Sequence, residues 1–238
     1  MSEHRITVEV MEGDLFRQLP PKLILEHCLS CILTDMREEG GSREALYDAV
    51  GAVWMLSHMQ FTQEAAIVAG DVLLLRVSPR MEKRSCYLYD VEILRGTEAV
   101  VNLQATFVPV DKASRHIVRI AQLADLWKTP PQEARASTMH RLRPRCELVP
   151  CGSDEVRFSD CDVNGHMTSG AYLSMACNAL DYWNSDAPRR MRMMQMDYSS
   201  EVYPGTALHF VRGESDGVRY VRGIKPDGKI AFTAACIF

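Results

Sequence analysis

The sequence predicts an α+β protein made of two similar units, each a long helix wrapped by an antiparallel sheet. Strand-like runs follow each of two helix-like segments, and short polar breaks separate neighbouring strands. The second half also repeats the element order of the first. The turn entering the strand run is AGDVLLLRV at Gly70 and PGTALHFVR at Gly205, which indicates an internal repeat of a whole supersecondary unit.

The first half is predicted to contain a strand, a helix and four more strands. RITVEV alternates polar and apolar residues and predicts the first strand. After Pro20 and Pro21 the apolar residues recur at helical spacing, and Gly40 and Gly41 predict the end of that helix. The later strands are predicted in order, and the last three form an antiparallel meander because short polar turns join them: AVWMLSHMQFT, DVLLLRVSPRM, SCYLYDVEIL and AVVNLQATFVPV.

The second half is predicted to repeat this order. A short strand ends at Phe158, and an amphipathic helix runs from about Ser169 to Trp183. Its apolar stripe contains Tyr172, Ala176, Leu180 and Trp183. Four strands follow: RMRMMQMDYSSEV, ALHFVRGE, VRYVRGIK and KIAFTAACIF.

A helix wrapped by a curled antiparallel sheet is the hotdog arrangement, so the repeat predicts a double hotdog. Prolines cluster and periodicity weakens between the two halves, which indicates a linker. We expect an N-terminal hotdog at 1–115, a linker at 116–150 and a C-terminal hotdog at 151–238.

The composition fits a soluble globular protein of 238 residues, of which 47% are hydrophobic and 24% charged. The net charge of -4 gives no indication of nucleic-acid binding. No apolar run approaches the roughly 20 residues that span a bilayer, and the N-terminus lacks the apolar stretch of a signal peptide. We therefore expect a cytoplasmic protein that does not bind membranes.

Cysteine usage leaves one alternative open. The eight cysteines are expected to be reduced thiols in a cytoplasmic protein. Cys28 and Cys31 form a C-x-x-C pair within a helical pattern, with no second such pair nearby. Small buried side chains are the favoured interpretation, and a zinc or redox site is the alternative.

A polar stretch before the second helix contains the residue types that thioester hydrolysis needs. In SDCDVNGHMTSG, Asp162, Asn164 and His166 occupy alternate positions, so an extended backbone would point all three side chains the same way. A helix starting near Ser169 would add free N–H groups for a developing oxyanion. The alternative is a polar loop in which Asp160 or Asp162 forms an Asx-turn and Ser169 caps the helix.

This stretch resembles a known family. SDCDVNGHMTSGAYLSMACNALD is similar to the active-site loop and following helix of the acyl-acyl carrier protein (acyl-ACP) thioesterases, plant and bacterial enzymes that release fatty acids from their carrier. In the first half, AVWMLSHMQFTQEAAIVAGDVLLLRV and ATFVPVDKASRHIVRI resemble two further segments of that family. The resemblance implies one active site per chain, in the second unit, with the first unit shaping the acyl pocket.

The family's site residues are carried over only where the motif matches. Its Asp, Asn and His fall on Asp162, Asn164 and His166, and its catalytic acid falls on Glu201 in DYSSEV. Glu201, assisted by His166 and Asn164, would activate a water, and Asp162 would orient the Asn or His. Backbone N–H groups at Gly165 or the helix start would hold the oxyanion.

Two departures from the family limit this transfer. Many members carry two asparagines where this chain has Thr168 and Ser169, so the hydrogen bonds at the helix start are not assigned. The plant enzymes have a cysteine after the glutamate, and this chain has Val202. A cysteine nucleophile at that position is therefore excluded.

The expected partner is an acidic acyl carrier protein, and no metal or organic cofactor is required because a thioester is already activated. Basic docking candidates are RASTMHRLRPR, with Arg135, Arg141, Arg143 and Arg145, and the group Arg189, Arg190 and Arg192. A solvated linker explains the first group equally well. The run RRMRMMQM suits either an acyl channel or an ordinary core strand, and a homodimer is possible.

Three other functions remain as alternatives at this point. An acyl-coenzyme A thioesterase would use the same chemistry. A non-catalytic acyl-binding hotdog would tolerate loss of the site residues, and all four are present. A hydratase or dehydratase of the same fold is a poorer match to the D-x-N-x-H spacing.

Overall fold

The computed structural model describes residues 1–82, 86–119, 123, 125–128, 132–133, 139–182 and 191–238. The helices within these residues are α1 (Pro21–Glu38), α2 (Arg43–Val50) and α3 (Ser169–Ala179). The first-half strands are β1 (Ser2–Thr7), β2 (Ala52–Gln63), β3 (Val72–Glu82), β4 (Cys86–Arg95) and β5 (Glu98–Asp111). The remaining strands are β6 (Gln132–Glu133), β7 (Val149–Glu155), β8 (Met193–Tyr198), β9 (Ala207–Ser215), β10 (Val218–Ile224) and β11 (Ile230–Ile237).

The two halves share one sheet, and each half follows the same strand order. The order is β1-β3-β4-β5-β2-β8-β11-β10-β9-β7, with β6 paired to β3 outside this path. Reading outward from the centre, β2-β5-β4-β3-β1 matches β8-β11-β10-β9-β7. The repeat is as the sequence predicts, and in each half the last three strands of the run form an antiparallel meander. The first strand of each run does not continue that meander, because β2 pairs with β5 and β8 pairs with β11. The centre is the antiparallel pair β2 and β8, in which His58 lies opposite Asp197.

The helices α1 and α3 pack against each other beneath this sheet. Gly170 of α3 lies against the side chains of Lys22 and Glu26 on α1, and a Cβ at this position would crowd both of them. Helix α3 is buried on nearly all faces, whereas an amphipathic stripe was predicted. The difference arises because α3 is covered by α1 as well as by the sheet, so small and apolar residues suit every face.

Other boundaries differ modestly from the prediction. The first strand ends at Thr7, before the predicted Val10, and α2 was not predicted. Helix α2 has clear local signals, since Ser42 accepts a hydrogen bond from Ala45 N and Gly51 ends it in a left-handed conformation. Helix α3 ends at Ala179 and is capped by Leu180, so it is shorter than the predicted helix to Trp183, a residue outside the described ranges.

The unit limits 1–115, 116–150 and 151–238 stay a prediction, although β5 ends at Asp111 and β7 begins at Val149. Within the described part of the linker, the backbone crosses β8. Leu142 N donates to Asp197 Oδ2 at 2.6 Å, and Gln195 Nε2 donates to the carbonyl oxygen of His140 at 2.6 Å. The linker backbone thereby gives hydrogen-bond partners to the buried side chains of Gln195 and Asp197, on the face of β8 opposite Met194 and Met196.

Candidate active site

The stretch before α3 is a tight turn, not the extended segment that alternate pointing would need. Cys161 and Met167 form an antiparallel bridge, and Asp162 N donates to His166 O at 3.2 Å. Gly165 occupies the left-handed region with φ of 76°, which glycine adopts readily. The expectation that Asp162, Asn164 and His166 share one direction by β alternation is therefore wrong, because the chain reverses within the motif.

Asp162 and Asn164 are exposed and bond to each other. Asp162 Oδ1 accepts from Asn164 N at 2.8 Å, and Asp162 Oδ2 accepts from Asn164 Nδ2 at 2.9 Å. This is an Asx-turn closed a second time by the side-chain amide. The carboxylate thus fixes the orientation of the asparagine amide, whose oxygen stays free of that bond.

The Gly165 N–H is already engaged within this turn. It donates to the carbonyl oxygen of Asp162 at 2.9 Å, so it would have to leave that bond to hold an oxyanion. The first N–H groups of α3, at Ser169 and Gly170, have no carbonyl partner within the helix, because no helical turn precedes them. An oxyanion role for Gly165 or for the helix start stays a prediction, and the helix start offers N–H groups without an intrahelical acceptor.

The helix start also differs in its cap. Thr168, not Ser169, is the N-cap, and its hydroxyl accepts from Ala171 N at 3.1 Å. Asp160 shapes the approach to the helix, because its carboxylate accepts from Arg157 N at 2.8 Å and its carbonyl accepts from Thr168 N at 2.8 Å. The capping interaction and the candidate histidine are therefore two residues apart.

Glu201 lies in the loop after β8, since that strand ends at Tyr198 and not at the predicted Val202. Its neighbours on both sides are held by the second unit. Tyr172 of α3 donates to the carbonyl of Ser200 at 2.9 Å, and Met167 N donates to the carbonyl of Val202 at 2.8 Å. These two bonds direct the intervening side chain toward the turn before α3.

The tertiary structure brings Glu201 and His166 together. Glu201 Oε1 lies 3.7 Å from His166 Nε2, and the two side chains are 15% and 27% exposed. The other imidazole nitrogen, Nδ1, lies 3.4 Å from the carbonyl oxygen of Met167. The site thus pairs a largely buried carboxylate with a partly exposed imidazole.

The second carboxylate oxygen of Glu201 has two donors. Arg115, in the turn after β5, lies 2.5 Å from Oε2 through its Nη2, and the Tyr203 hydroxyl donates to the same oxygen at 3.0 Å. Burial raises the pKa of Glu201, but these bonds and the charge of Arg115, with that of His166 when its ring is protonated, outweigh it. The pKa of Glu201 therefore lies below its ordinary value, and the carboxylate is the favoured form near neutral pH.

Arg115 was missed by sequence reasoning, although ATFVPVDKASRHIVRI contains it. It comes from the first half of the chain and meets Glu201 only in the folded protein. The sequence carries one weak signal, a polar turn with Asp111 and Ser114 directly before the arginine. Such a turn predicts a well-defined backbone but not what its side chains contact.

The remaining candidates have structural roles or lie outside the described residues. Cys28 and Cys31 face the core, where burial raises both thiol pKa values, that of Cys31 to about 11. All eight cysteines lie in the described ranges and none forms a disulfide, and among the described residues no group of three or more His, Cys, Asp or Glu is placed to hold a metal. Arg135, Arg189 and Arg190 of the basic groups lie outside the described residues.

The methionine run packs as a core strand. Met191, Met194 and Met196 are at most 1% exposed, and β8 lies at the centre of the sheet. None of the helices in the described ranges has the length and apolarity needed to cross a bilayer.

Comparison with known proteins gives the following matches. The family model described as the acyl-ACP thioesterase C-terminal domain matches residues 153–234. An acyl-ACP thioesterase from Bacteroides thetaiotaomicron superposes with a TM-score of 0.83 at 16% identity, covering 100% of this chain and 97% of that one. The 12:0-ACP thioesterase from Umbellularia californica superposes with a TM-score of 0.82 at 11% identity, covering 99% and 96%. No curated protein matches the sequence.

These superpositions define the fold as a double hotdog of the α+β class, as the sequence predicts. The matched family model covers residues 153–234 of the second unit, the half of the chain that carries the motif around His166. The resemblance seen in the sequence is thereby confirmed, and the protein is a thioester hydrolase.

Proposed function

We propose that the protein hydrolyses the thioester of acyl-ACP with a water molecule activated between Glu201 and His166. The observation that supports this most is the separation of 3.7 Å between Glu201 Oε1 and His166 Nε2. That distance is too long for a direct hydrogen bond and suits two polar atoms bridged by one water. A water held there lies against a carboxylate that favours its ionised form.

The contacts of the imidazole support the same water position. A carbonyl oxygen can only accept, so the proximity of Met167 O to Nδ1 favours the proton on Nδ1. In the neutral ring Nε2 is then an acceptor, like Glu201 Oε1. A water between two acceptors donates both of its protons and keeps a lone pair for attack.

The reaction then proceeds by general base catalysis. Glu201 Oε1 takes one proton of the water while the water oxygen adds to the thioester carbonyl carbon. The tetrahedral intermediate collapses, the carbon–sulfur bond breaks, and the thiolate of the carrier receives the proton. Free fatty acid and carrier thiol leave, and the carboxylate is restored. No metal or organic cofactor takes part.

The other site residues would position the substrate. The side-chain amide of Asn164, oriented by Asp162 and exposed in the turn, would form a hydrogen bond with the thioester group. The N–H groups at the start of α3 would hold the oxyanion, with Gly165 contributing only if its turn opens. Each donor removed from such a hole typically costs about 10²- to 10³-fold in rate.

Features outside the site support an acidic carrier as partner. Arg141, Arg143 and Arg145 alternate along the exposed side of the linker, and we propose this row as a docking surface. The first unit would shape the acyl pocket. Cytoplasmic location fits this substrate, and a homodimer is compatible with the same fold.

The proposal is tested by comparing purified wild-type protein with Glu201→Gln on acyl-ACP substrates. The substitution removes the base while keeping side-chain volume, so we expect free fatty acid release to fall by about 10²- to 10⁴-fold. Glu214→Gln is the matched control, because Glu214 is 56% exposed and forms an ion pair with Arg219 on the neighbouring strand. Wild-type activity in Glu201→Gln would contradict the proposed mechanism.

Three alternative functions have distinct outcomes in the same assay. Faster turnover of acyl-coenzyme A than of acyl-ACP at equal chain length would indicate a coenzyme A thioesterase. Acyl binding with no hydrolysis by the wild type would indicate a binding protein. Addition or loss of water on the acyl chain, with no free acid detected by mass spectrometry, would indicate a hydratase.

A further inference from the structure

The geometry points to Arg115 as a positioning residue that makes Glu201 Oε1 the working base of the site. This inference rests on the proposed function, because it assigns a role relative to Glu201. Arg115 belongs to the first half of the chain, whereas Asp162, Asn164, His166 and Glu201 belong to the second. The site would therefore be completed by a residue from the other unit.

The first step of the argument is the different environment of the two carboxylate oxygens. Oε2 lies 2.5 Å from Arg115 Nη2 and accepts a hydrogen bond from the Tyr203 hydroxyl at 3.0 Å. Oε1 lies 3.7 Å from His166 Nε2. Two donors on one oxygen stop the carboxylate from rotating and exchanging its oxygens. Oε1 is left as the acceptor beside the imidazole.

The second step is that Arg115 is held by its own backbone. Its φ of 62° is in the left-handed region, and its N–H donates to the carbonyl of Asp111 at 2.9 Å. Asp111 Oδ1 also accepts from Ser114 N at 2.6 Å, which closes the turn directly before the arginine. A mobile surface arginine would not impose a direction on a carboxylate, but one on a closed turn does.

The third step concerns charge. Glu201 is 15% exposed, so burial alone would favour its protonated form. The Arg115 guanidinium offsets this penalty, and the pKa of Arg115 is itself raised by its bond to Glu201. Arg115 therefore keeps the base ionised as well as oriented. It acts through Glu201 and needs no contact with the substrate.

The test is the pH dependence of acyl-ACP hydrolysis by Arg115→Met, with Arg115→Lys as the conservative variant. Loss of the guanidinium raises the pKa of Glu201, so the acidic limb of kcat should move upward by about 1 pH unit. Below the raised pKa the base is protonated and activity is lost at a higher pH than in the wild type. We expect kcat at neutral pH to fall about tenfold or more, with KM changed less.

Arg115→Lys keeps the charge and should return the acidic limb toward the wild-type position. Lys112→Met is the control, because Lys112 lies on the same turn and its ammonium sits 5.6 Å from the ring centroid of Tyr47. It removes one positive charge and should leave the acidic limb unchanged. The ¹³C carboxyl signal of Glu201, assigned by difference with Glu201→Gln, gives the pKa without reference to activity.

The outcomes separate this inference from the proposed function. A wild-type acidic limb and ¹³C titration in Arg115→Met would overturn the role of Arg115 while leaving Glu201 as the base. A higher KM with an unshifted limb would also overturn it and indicate substrate binding by Arg115. A uniform loss of kcat with an unshifted ¹³C titration would reduce Arg115 to a structural residue. Full activity of Glu201→Gln would remove the proposed function, and this inference with it.

Discussion

At the scale of single residues, the site depends on how each polar atom is already occupied. Asp162 uses both carboxylate oxygens on Asn164, and Gly165 uses its N–H on Asp162. The atoms left for chemistry are therefore few: Glu201 Oε1 and His166 Nε2 face each other without a hydrogen bond between them. In the proposed mechanism the reacting water lies between these two atoms.

Tyr203→Phe tests how Glu201 is tuned. Removing the hydroxyl deletes one of two donors to Oε2, so the pKa of Glu201 should rise, though by less than in Arg115→Met. Because the base form is lost as pH falls through that pKa, the acidic limb of kcat should move upward by less than about 1 pH unit. At pH values above the acidic limbs of both the wild type and Tyr203→Phe, the two proteins should have the same kcat.

The measurement is kcat against pH for both enzymes on the same acyl-ACP. Tyr47→Phe is the control, since it removes a tyrosine hydroxyl from α2, where the ring contacts Lys112. A downward shift of the limb in Tyr203→Phe would contradict the assigned direction.

At the scale of elements, α3 connects the core to the site. Its buried side chains pack against α1 and the sheet, and its first residues follow directly on the turn that contains His166. Tyr172, one turn into the helix, reaches the carbonyl before Glu201. The helix therefore sets the distance between the turn that contains His166 and the loop that contains Glu201. A substitution at its start should change the stability of this region.

Thr168→Ala tests the start of this helix. The hydroxyl that accepts from Ala171 N is lost, so the free energy of unfolding should fall by about 1 kcal/mol. Ser169→Ala is the matched control, and we expect a change within about 0.5 kcal/mol because Ser169 lies inside the first turn. Urea denaturation of the three proteins measures both effects. A larger cost for Ser169→Ala would move the cap back to the residue that the sequence suggested.

At the scale of the whole molecule, the pairing of β2 with β8 joins the two units. Asp197 is 3% exposed at this seam, and its carboxylate accepts from Leu142 N at 2.6 Å. The same carboxylate lies 3.0 Å from His58 Nδ1 on β2. One side chain thus holds the first unit, the linker and the second unit together.

Asp197→Ala should destabilise the two units together. Truncation leaves Leu142 N and His58 without their acceptor, and we expect a loss of about 2 kcal/mol in the free energy of unfolding. Unfolding should remain a single transition, because the sheet is continuous across the seam. Glu214→Ala, in an exposed ion pair, should cost less than about 1 kcal/mol.

Chemical denaturation, followed by fluorescence and by circular dichroism, measures the free energy of unfolding and the number of unfolding transitions. Two separate transitions in the wild type would show that the seam does not couple the units.

The sequence alone determined the features that depend on local chemistry and periodicity. Strand runs from AVWMLSHMQFT onward matched β2 to β5 within one or two residues, and Gly40 and Gly41 marked the end of α1, because hydrophobic alternation and left-handed glycines act over a few residues. The repeat and the motif around His166 were also visible there. Only the tertiary structure decided which side chains meet across the fold. It showed that the motif reverses at Gly165, that Thr168 is the cap, and that Arg115 reaches Glu201. The physical reason is that an ion pair between residues so far apart in the chain depends on the paths of both units, and no local pattern records those paths.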